Sequence, residues 1–92
     1  MVERDAAHRS AAELLLKAGA QPESAAGHLL RVAPQADSFV VSTLRRAAER
    51  SLAQGAAEAA VRYLSRALDE QIDPAVQAEV LVELGHAERR TN

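Results

Sequence analysis

The stretch VSTLRRAAERSLAQGAAEAAVRYLSRALDE, residues 41–70, decides the fold. Two helical stripes meet in it across one glycine. Leu44, Ala47, Ala48, Ser51 and Leu52 keep a 3.6-residue period as far as Gly55. Ala60, Val61, Leu64, Ala67 and Leu68 resume it on the far side, with Leu64 the large apolar residue between two alanines. Alanine and leucine lose little side-chain freedom in a helix, and small side chains let two helices approach closely. The stretch reads as a helical hairpin, and a lone hairpin cannot bury its own apolar face. It has to stack on neighbours, which points to contact rather than chemistry.

Outward from this hairpin the sequence predicts three more helices. Asp73-Pro74 gives an N-cap followed by proline at the first helical position. Val76, Val80, Leu81, Leu84 and Ala87 then line one face, before a polar end at Arg89-Arg90-Thr91-Asn92. Upstream, Asp37 or Ser38 can cap the helix that carries Val40 and Val41. A short helix from Pro22 to about Val32 presents Ala25, Leu29 and Val32, and Ala33-Pro34 ends it because the residue before proline avoids the helical region. A first helix from about Glu3 to Ala18 has the stripe Ala7, Ala11, Leu14, Leu15, Ala18, with Gly19 as its left-handed terminator. No segment alternates with period two for the length of a strand. The expected fold is all-α, with about five helices, and residues 1–92 form a single domain.

Composition narrows the function classes. Without cysteine, disulfides, cysteine-based zinc sites and thiol catalysis are excluded. A formal net charge of −2 argues against a large electrostatic footprint for nucleic acid. No apolar run approaches the roughly 18 residues of a membrane span. The opening Met1-Val2-Glu3-Arg4-Asp5 lacks a signal-peptide core, so a cytoplasmic location is expected.

Motifs for chemistry are weak. Glu83-x-x-His86 has the spacing of di-iron ligands, and Asp5-x-x-His8 copies it, but such centres need two further glutamates facing one interior. An exposed polar face explains Glu79, Glu83 and His86 more simply, and His28 beside Leu29 reads as a half-buried packing residue. None of the serines lies in a Gly-x-Ser-x-Gly context. No glycine-rich phosphate loop precedes a Lys-Ser or Lys-Thr pair. Catalytic, metal and cofactor residues are therefore expected to be absent from this chain. Arg45, Arg46 and Arg50, then Arg62 and Arg66, cluster on the two helices of the hairpin as a recognition helix would require. Glu49, Asp69 and Glu70 lie among them, and pairs such as Arg66 with Glu70 at i, i+4 make a solvated helix face the simpler reading. Direct contact with nucleic acid is not expected.

The hairpin resembles a tetratricopeptide unit. Such units place small residues where the helices cross and glycine at the turn, as Ala48, Gly55, Ala60 and Ala67 do here. The usual closing proline is displaced, with Ile72 in its place and Pro74 two residues later. Leu84-Gly85 fits the first helix of a following unit. Backwards, Ala12 and Gly19 mirror Ala48 and Gly55, while Ala25 and Leu29 mirror Ala60 and Leu64 with one extra residue. The resemblance implies antiparallel hairpins in a right-handed array: two degenerate units and the first helix of a third. Leu44, Ala48, Gly55, Ala60, Leu64, Ala67, Val80, Leu84 and Gly85 are the residues expected to carry helix packing and interaction.

Taken in order, the segments also resemble the helical region of the large ATP-binding LuxR-type transcriptional regulators, relatives of the MalT-like signalling ATPases. The likeness rests on His8 to Leu16 with Gly19-Ala20, Ala26-Gly27-His28-Leu29-Leu30, and Leu44-Arg45-Arg46-Ala47-Ala48 with Gly55-Ala56. It continues through Ala60-Val61-Arg62-Tyr63-Leu64-Ser65-Arg66-Ala67-Leu68 and Val82-Glu83-Leu84-Gly85-His86-Ala87-Glu88, where Val82 replaces the first leucine of the family pattern. In that family ATP binds upstream and DNA is read by a C-terminal helix-turn-helix, so no catalytic or base-reading residue carries over. The resemblance implies an interaction module, a piece of a longer regulator, that couples effector sensing or self-association to the ATPase and DNA-binding parts. Its partners would be other parts of its parent chain, or a second copy through a terminal helix. For that contact the stripe Val76, Val80, Leu84, Ala87 is expected to lie uncovered. The rival expectation is a free-standing helical protein that holds a peptide or ligand in its groove.

Overall fold

The computed structural model describes residues 2–91. They form five α-helices and, among the described residues, no strand. These are α1 (Val2–Lys17), α2 (Pro22–Leu29), α3 (Ser38–Ala53), α4 (Ala57–Leu68) and α5 (Pro74–Arg89). Each helix packs mainly on its neighbours along the chain: α1 on α2, α2 on α3, α3 on α4 and α4 on α5. The all-α expectation holds. Met1 and Asn92, the ends of the expected domain, lie outside the described residues.

The turn inside each hairpin is made by backbone alone. Gly19 has φ +86° and Gly55 φ +80°, a left-handed region open to glycine without steric cost. After α1, Ala20 N–H donates to the Leu15 carbonyl at 2.9 Å and Gly19 N–H to Leu16 at 3.1 Å. After α3, Ala56 N–H donates to Ser51 at 2.7 Å and Gly55 N–H to Leu52 at 3.1 Å. Both sets close the carbonyls that a helix end leaves unpaired, in the Schellman pattern. The two turns are therefore the same structure, 36 positions apart in the chain.

The connections between hairpins use side chains instead. Helix α2 stops at Leu29, short of the expected Val32. Arg31 and Val32 N–H groups bond three residues back, to His28 and Leu29, a tighter winding that commonly finishes a helix. Val32 nevertheless stays buried. Asp37 rather than Ser38 caps α3, with Oδ1 accepting from Phe39 N–H at 3.0 Å, and Asp73 Oδ1 caps α5 through Ala75 N–H at 2.7 Å. Before each cap a non-glycine residue takes a left-handed conformation, Ala36 at φ +55° and Gln71 at φ +51°.

The Glu70 carboxylate, almost fully buried, holds the first of these connections. Its Oε1 accepts from Gln35 N–H at 3.2 Å and Asp37 N–H at 2.7 Å, and its Oε2 from Arg66 Nη1 at 2.7 Å. Arg66 Nη2 in turn donates to the Val32 carbonyl. The Arg66–Glu70 pair expected on a solvated face is thus interior. The i, i+4 spacing was right, but the loop that arrives from residues 32–37 covers it.

Eight of the fifteen buried apolar residues are alanines, including Ala12, Ala25, Ala48, Ala60 and Ala67 at the helix contacts, and Leu29, Leu44 and Leu64 fill the spaces between them. Ala12 and Ala48, and Leu29 and Leu64, occupy matching places in the two hairpins. On α1 the expected stripe is rotated. Ala12 is fully buried and Leu16 packs on the core, whereas Ala7 and Ala18 are exposed and Leu14 is 66% exposed. In an alanine-rich helix several faces are nearly as apolar as one another, so the small residue at the crossing fixes the face. On α5 the expected uncovered stripe is in fact covered. Val80 and Ala87 are fully buried and Val76 and Leu84 partly so, because α4 already packs on them. The uncovered apolar residues of α5 are Leu81 and Val82, 56% and 72% exposed.

The Asp37 carboxylate joins α1 to α3. Besides capping α3, it takes a two-pronged contact from Arg9 of α1, Nε to Oδ2 at 2.9 Å and Nη2 to Oδ1 at 3.3 Å. The Arg9 guanidinium also lies 4.3 Å from the Phe39 ring centre, a cation–π placement. Burial pushes the Asp37 carboxyl up, but the Arg9 hydrogen bond and the Phe39 and Val40 N–H groups outweigh it and leave the pKa below its ordinary value of 3.8. A carboxyl depressed by folding stabilises the fold above its ordinary value, and the stabilisation fades as pH falls towards the folded value. Urea melts should therefore lose stability below about pH 4, and Asp37→Asn should flatten that acid loss while lowering stability at neutral pH. Equal acid slopes in both proteins would refute this role.

Two glycines should respond with opposite signs. Nothing lies within 4 Å of a Cβ built on Gly55 or Gly27, so only backbone preference differs. Gly55→Ala forces alanine into the left-handed region and should cost about 1–2 kcal/mol. Gly27→Ala, on the exposed side of α2, should stabilise by about 0.5–1 kcal/mol. Paired denaturation midpoints check both.

Candidate interaction groove

Helices α3 and α5 hold equivalent places in successive units, and a cleft opens between them. Its volume is about 620 Å³. Ala48 and Leu52 of α3, Leu64 of α4 and Val82 of α5 give it an apolar floor. Arg46 and Glu49 stand on the α3 side, His86 and Arg89 on the α5 side. Arg46, Glu49, His86 and Arg89 are all exposed. The sequence spacing explains the mixture: α3 turns its 44, 47, 48, 51 face inward, so residues 45, 46, 49 and 52 lie along its flank and towards α5.

A fork of charge sets the width of the cleft. Arg45 Nε donates to Glu83 Oε1 at 3.0 Å, its Nη2 reaches Glu83 Oε2, and the same Nη2 lies 3.1 Å from Glu79 Oε1. Two parallel N–H···O bonds between guanidinium and carboxylate fix orientation as well as distance. The Glu83 hydrogen bond raises Arg45 above its ordinary pKa, against the lowering effect of burial. Glu83 is therefore occupied by an arginine 38 positions upstream, and the Glu83-x-x-His86 spacing does not assemble a metal centre. No group of three or more His, Cys, Asp or Glu side chains fit to hold a metal occurs among the described residues.

Comparison with known proteins adds no relative: no family model, no curated protein and no solved structure matches the chain.

Of the nine residues expected to carry packing and interaction, Leu44, Ala48, Ala60, Leu64, Ala67 and Val80 are buried, Leu84 and Gly85 are partly buried, and Gly55 is exposed in its turn. They hold helices together, and of the nine only Ala48 and Leu64 also reach the groove. Sequence reasoning did not assemble the groove's own polar set, Arg46, Glu49, His86 and Arg89. It also read Arg45 as part of a solvated arginine face and Glu83 as an exposed glutamate. The available signal was the repeat register, in which Leu84-Gly85 matches Ala47-Ala48 and so sets Ser42–Glu49 beside Glu79–His86.

Loss of the fork should loosen α5 selectively. Glu83→Gln is expected to cost about 0.5–1 kcal/mol, the scale of a partly exposed ion pair. Amide exchange should quicken in α5 and stay unchanged in α1. A uniform acceleration over all helices would contradict the assignment.

Proposed function

We propose that this chain is a non-catalytic helical-repeat interaction module, and that it serves a LuxR-type ATP-dependent transcriptional regulator of the tetratricopeptide-like kind. In that role it couples effector sensing or self-association to ATPase and DNA-binding parts carried elsewhere in the parent protein. The observation that supports a contact role is the pair of surfaces left by sequential stacking. One is the groove between α3 and α5. The other is the exposed apolar edge of α5, where Leu81 stands beside the groove-lining Val82, left open after α4 has covered the Val76, Val80, Leu84, Ala87 stripe. Exposed apolar side chains grouped on one helix favour association. The partner in this reading is another part of the parent chain or a second copy of this one, and the compartment is the cytoplasm. No helix among the described residues is long and apolar enough to cross a membrane.

The groove favours a second reading, in which a free-standing protein receives a peptide or small ligand between Leu52, Leu64 and Val82. The gene distinguishes the two. A phosphate loop encoded upstream and a helix-turn-helix downstream in one reading frame support the regulator, and a frame without them favours the free-standing binder.

Self-association is the part open to direct measurement. Sedimentation at increasing concentration should show dimers or larger species for the natural sequence, and the double variant Leu81→Asp, Val82→Asp should sediment as a monomer. Both positions are exposed, so the double variant should keep its unfolding free energy within about 1 kcal/mol. A natural sequence that stays monomeric at high concentration sinks this surface as an interface.

A further inference from the structure

The large apolar side chains that stand well out in solvent are Leu14, Leu81 and Val82, and they lie on the first and the last helix. Helix α1 packs mainly on α2, and α5 mainly on α4, so each has an outer face turned away from its neighbour. On α1 that face carries Glu3, Ala7, Ser10, Leu14 and Lys17, all exposed and spaced by three or four residues, which puts them on one side of a helix. On α5 it carries Ala75, Ala78, Val82 and Arg89, exposed at the same spacing, with Leu81 beside them and Gly85 partly buried. Each face is apolar in its middle and charged at an end. Among the described residues, Glu3, Lys17 and Arg89 take part in no ion pair.

We propose that copies of this chain associate head to tail, with the outer face of α1 in one copy lying antiparallel on the outer face of α5 in the next. The inference rests on the reading of Leu81 and Val82 as a self-association surface, and it names what covers them. Both helices are 16 residues long, about 24 Å at 1.5 Å per residue. Charge sets the direction. Run antiparallel, Glu3 meets Arg89, and Lys17 reaches the start of α5, where Asp73 caps Ala75 N–H. Run parallel, Glu3 would face Asp73 and Lys17 would face Arg89, like charge against like. Exposed pairs of this kind add little affinity but select orientation. With Glu3 opposite Arg89, the antiparallel register sets Leu14 over Ala78, Leu81 over Ala11, Val82 over Ser10 and Ala7 over Gly85. Each large side chain then meets a small one, which lets the helices approach closely. Pairing α5 with a second α5 would leave Leu14 in water, and pairing α1 with a second α1 would leave Leu81 and Val82 there. Contact between two different faces is heterologous, so a pair of copies keeps one free face at each end and can add further copies.

Sedimentation of the full chain, alone and as mixed variants, tests the arrangement. Leu14→Asp closes the α1 face, and the double variant Leu81→Asp, Val82→Asp closes the α5 face. All three positions are exposed, so circular dichroism should show unchanged helix content. The natural sequence should give species that grow beyond a dimer as concentration rises. Each variant alone should sediment as a monomer, because its one open face has nothing complementary to meet. An equimolar mixture of the two should give a complex of one copy of each and nothing larger, since the closed faces end the chain. A natural sequence that stays monomeric, or an α5 variant that associates alone, overturns both this inference and the self-association surface it rests on. Association of Leu14→Asp alone, or a mixture that forms no complex, overturns the head-to-tail arrangement only. Leu14→Gln and the pair Leu81→Gln, Val82→Gln repeat each arm with milder changes, so loss of helix content in an aspartate variant does not stop the test.

Discussion

The Glu70 carboxylate is the constraint on which the arrangement of hairpins depends. A connection that leaves α2 at Leu29 and enters α3 at Ser38 exposes backbone N–H groups that no helix can satisfy. Glu70, at the end of α4, accepts two of them and is neutralised by Arg66. Every buried side-chain polar atom among the described residues is paired, which is the condition for burying a charge without loss. Removing one member of such a group leaves its partner charged and unpaired, typically at about 3–5 kcal/mol. The apolar contacts of α2 with α3 set how close the hairpins lie, while Glu70 and Asp37 set how the loop between them runs.

Polar ties join the successive units at several levels. Arg50 of α3 reaches Glu23 of α2 at 2.9 Å. Arg9 reaches Asp37, and Arg45 reaches Glu83 and Glu79. At Asp37 and at Glu83 the planar arginine fork meets the carboxylate at two points, whereas Arg50 touches Glu23 at one. The same ties shape the surface. By drawing Glu83 towards Arg45, α5 leaves its Val82 edge at the groove and its Leu81 side to solvent, so the two faces read as contact surfaces flank one helix.

The parts of the fold legible in the sequence are those fixed by local chemistry. The glycine turns, the Asp73-Pro74 cap and the stripes of α3 and α4 depend on residues a few positions apart, and all stand where the local sequence puts them. The face of α1 did not, because Ala6, Ala7, Ala11, Ala12 and Ala18 offer several apolar directions and only the packed partner chooses Ala12. The cover on α5 was misjudged because a stripe shows which residues seek burial, not whether a helix already present supplies it. The His8–His28 contact and the Arg45–Glu83 fork join positions 20 and 38 apart, and such pairs become visible only once the stacking is known.

The contrast between the two sorts of turn bears on the order in which the chain can assemble. A glycine turn closes with bonds between residues five or fewer positions apart, so a hairpin completes its corner as soon as its own two helices form. The Gln35 and Asp37 N–H groups wait for a carboxylate 35 and 33 positions further on. Contacts of long sequence separation carry a larger loop-closure cost and form late. Hairpins therefore close early and locally, and the left-handed Ala36 connection sets only when α4 delivers Glu70. A chain synthesised from its N-terminus would form its first hairpin before residue 70 emerges to fix the run of the connection that follows it.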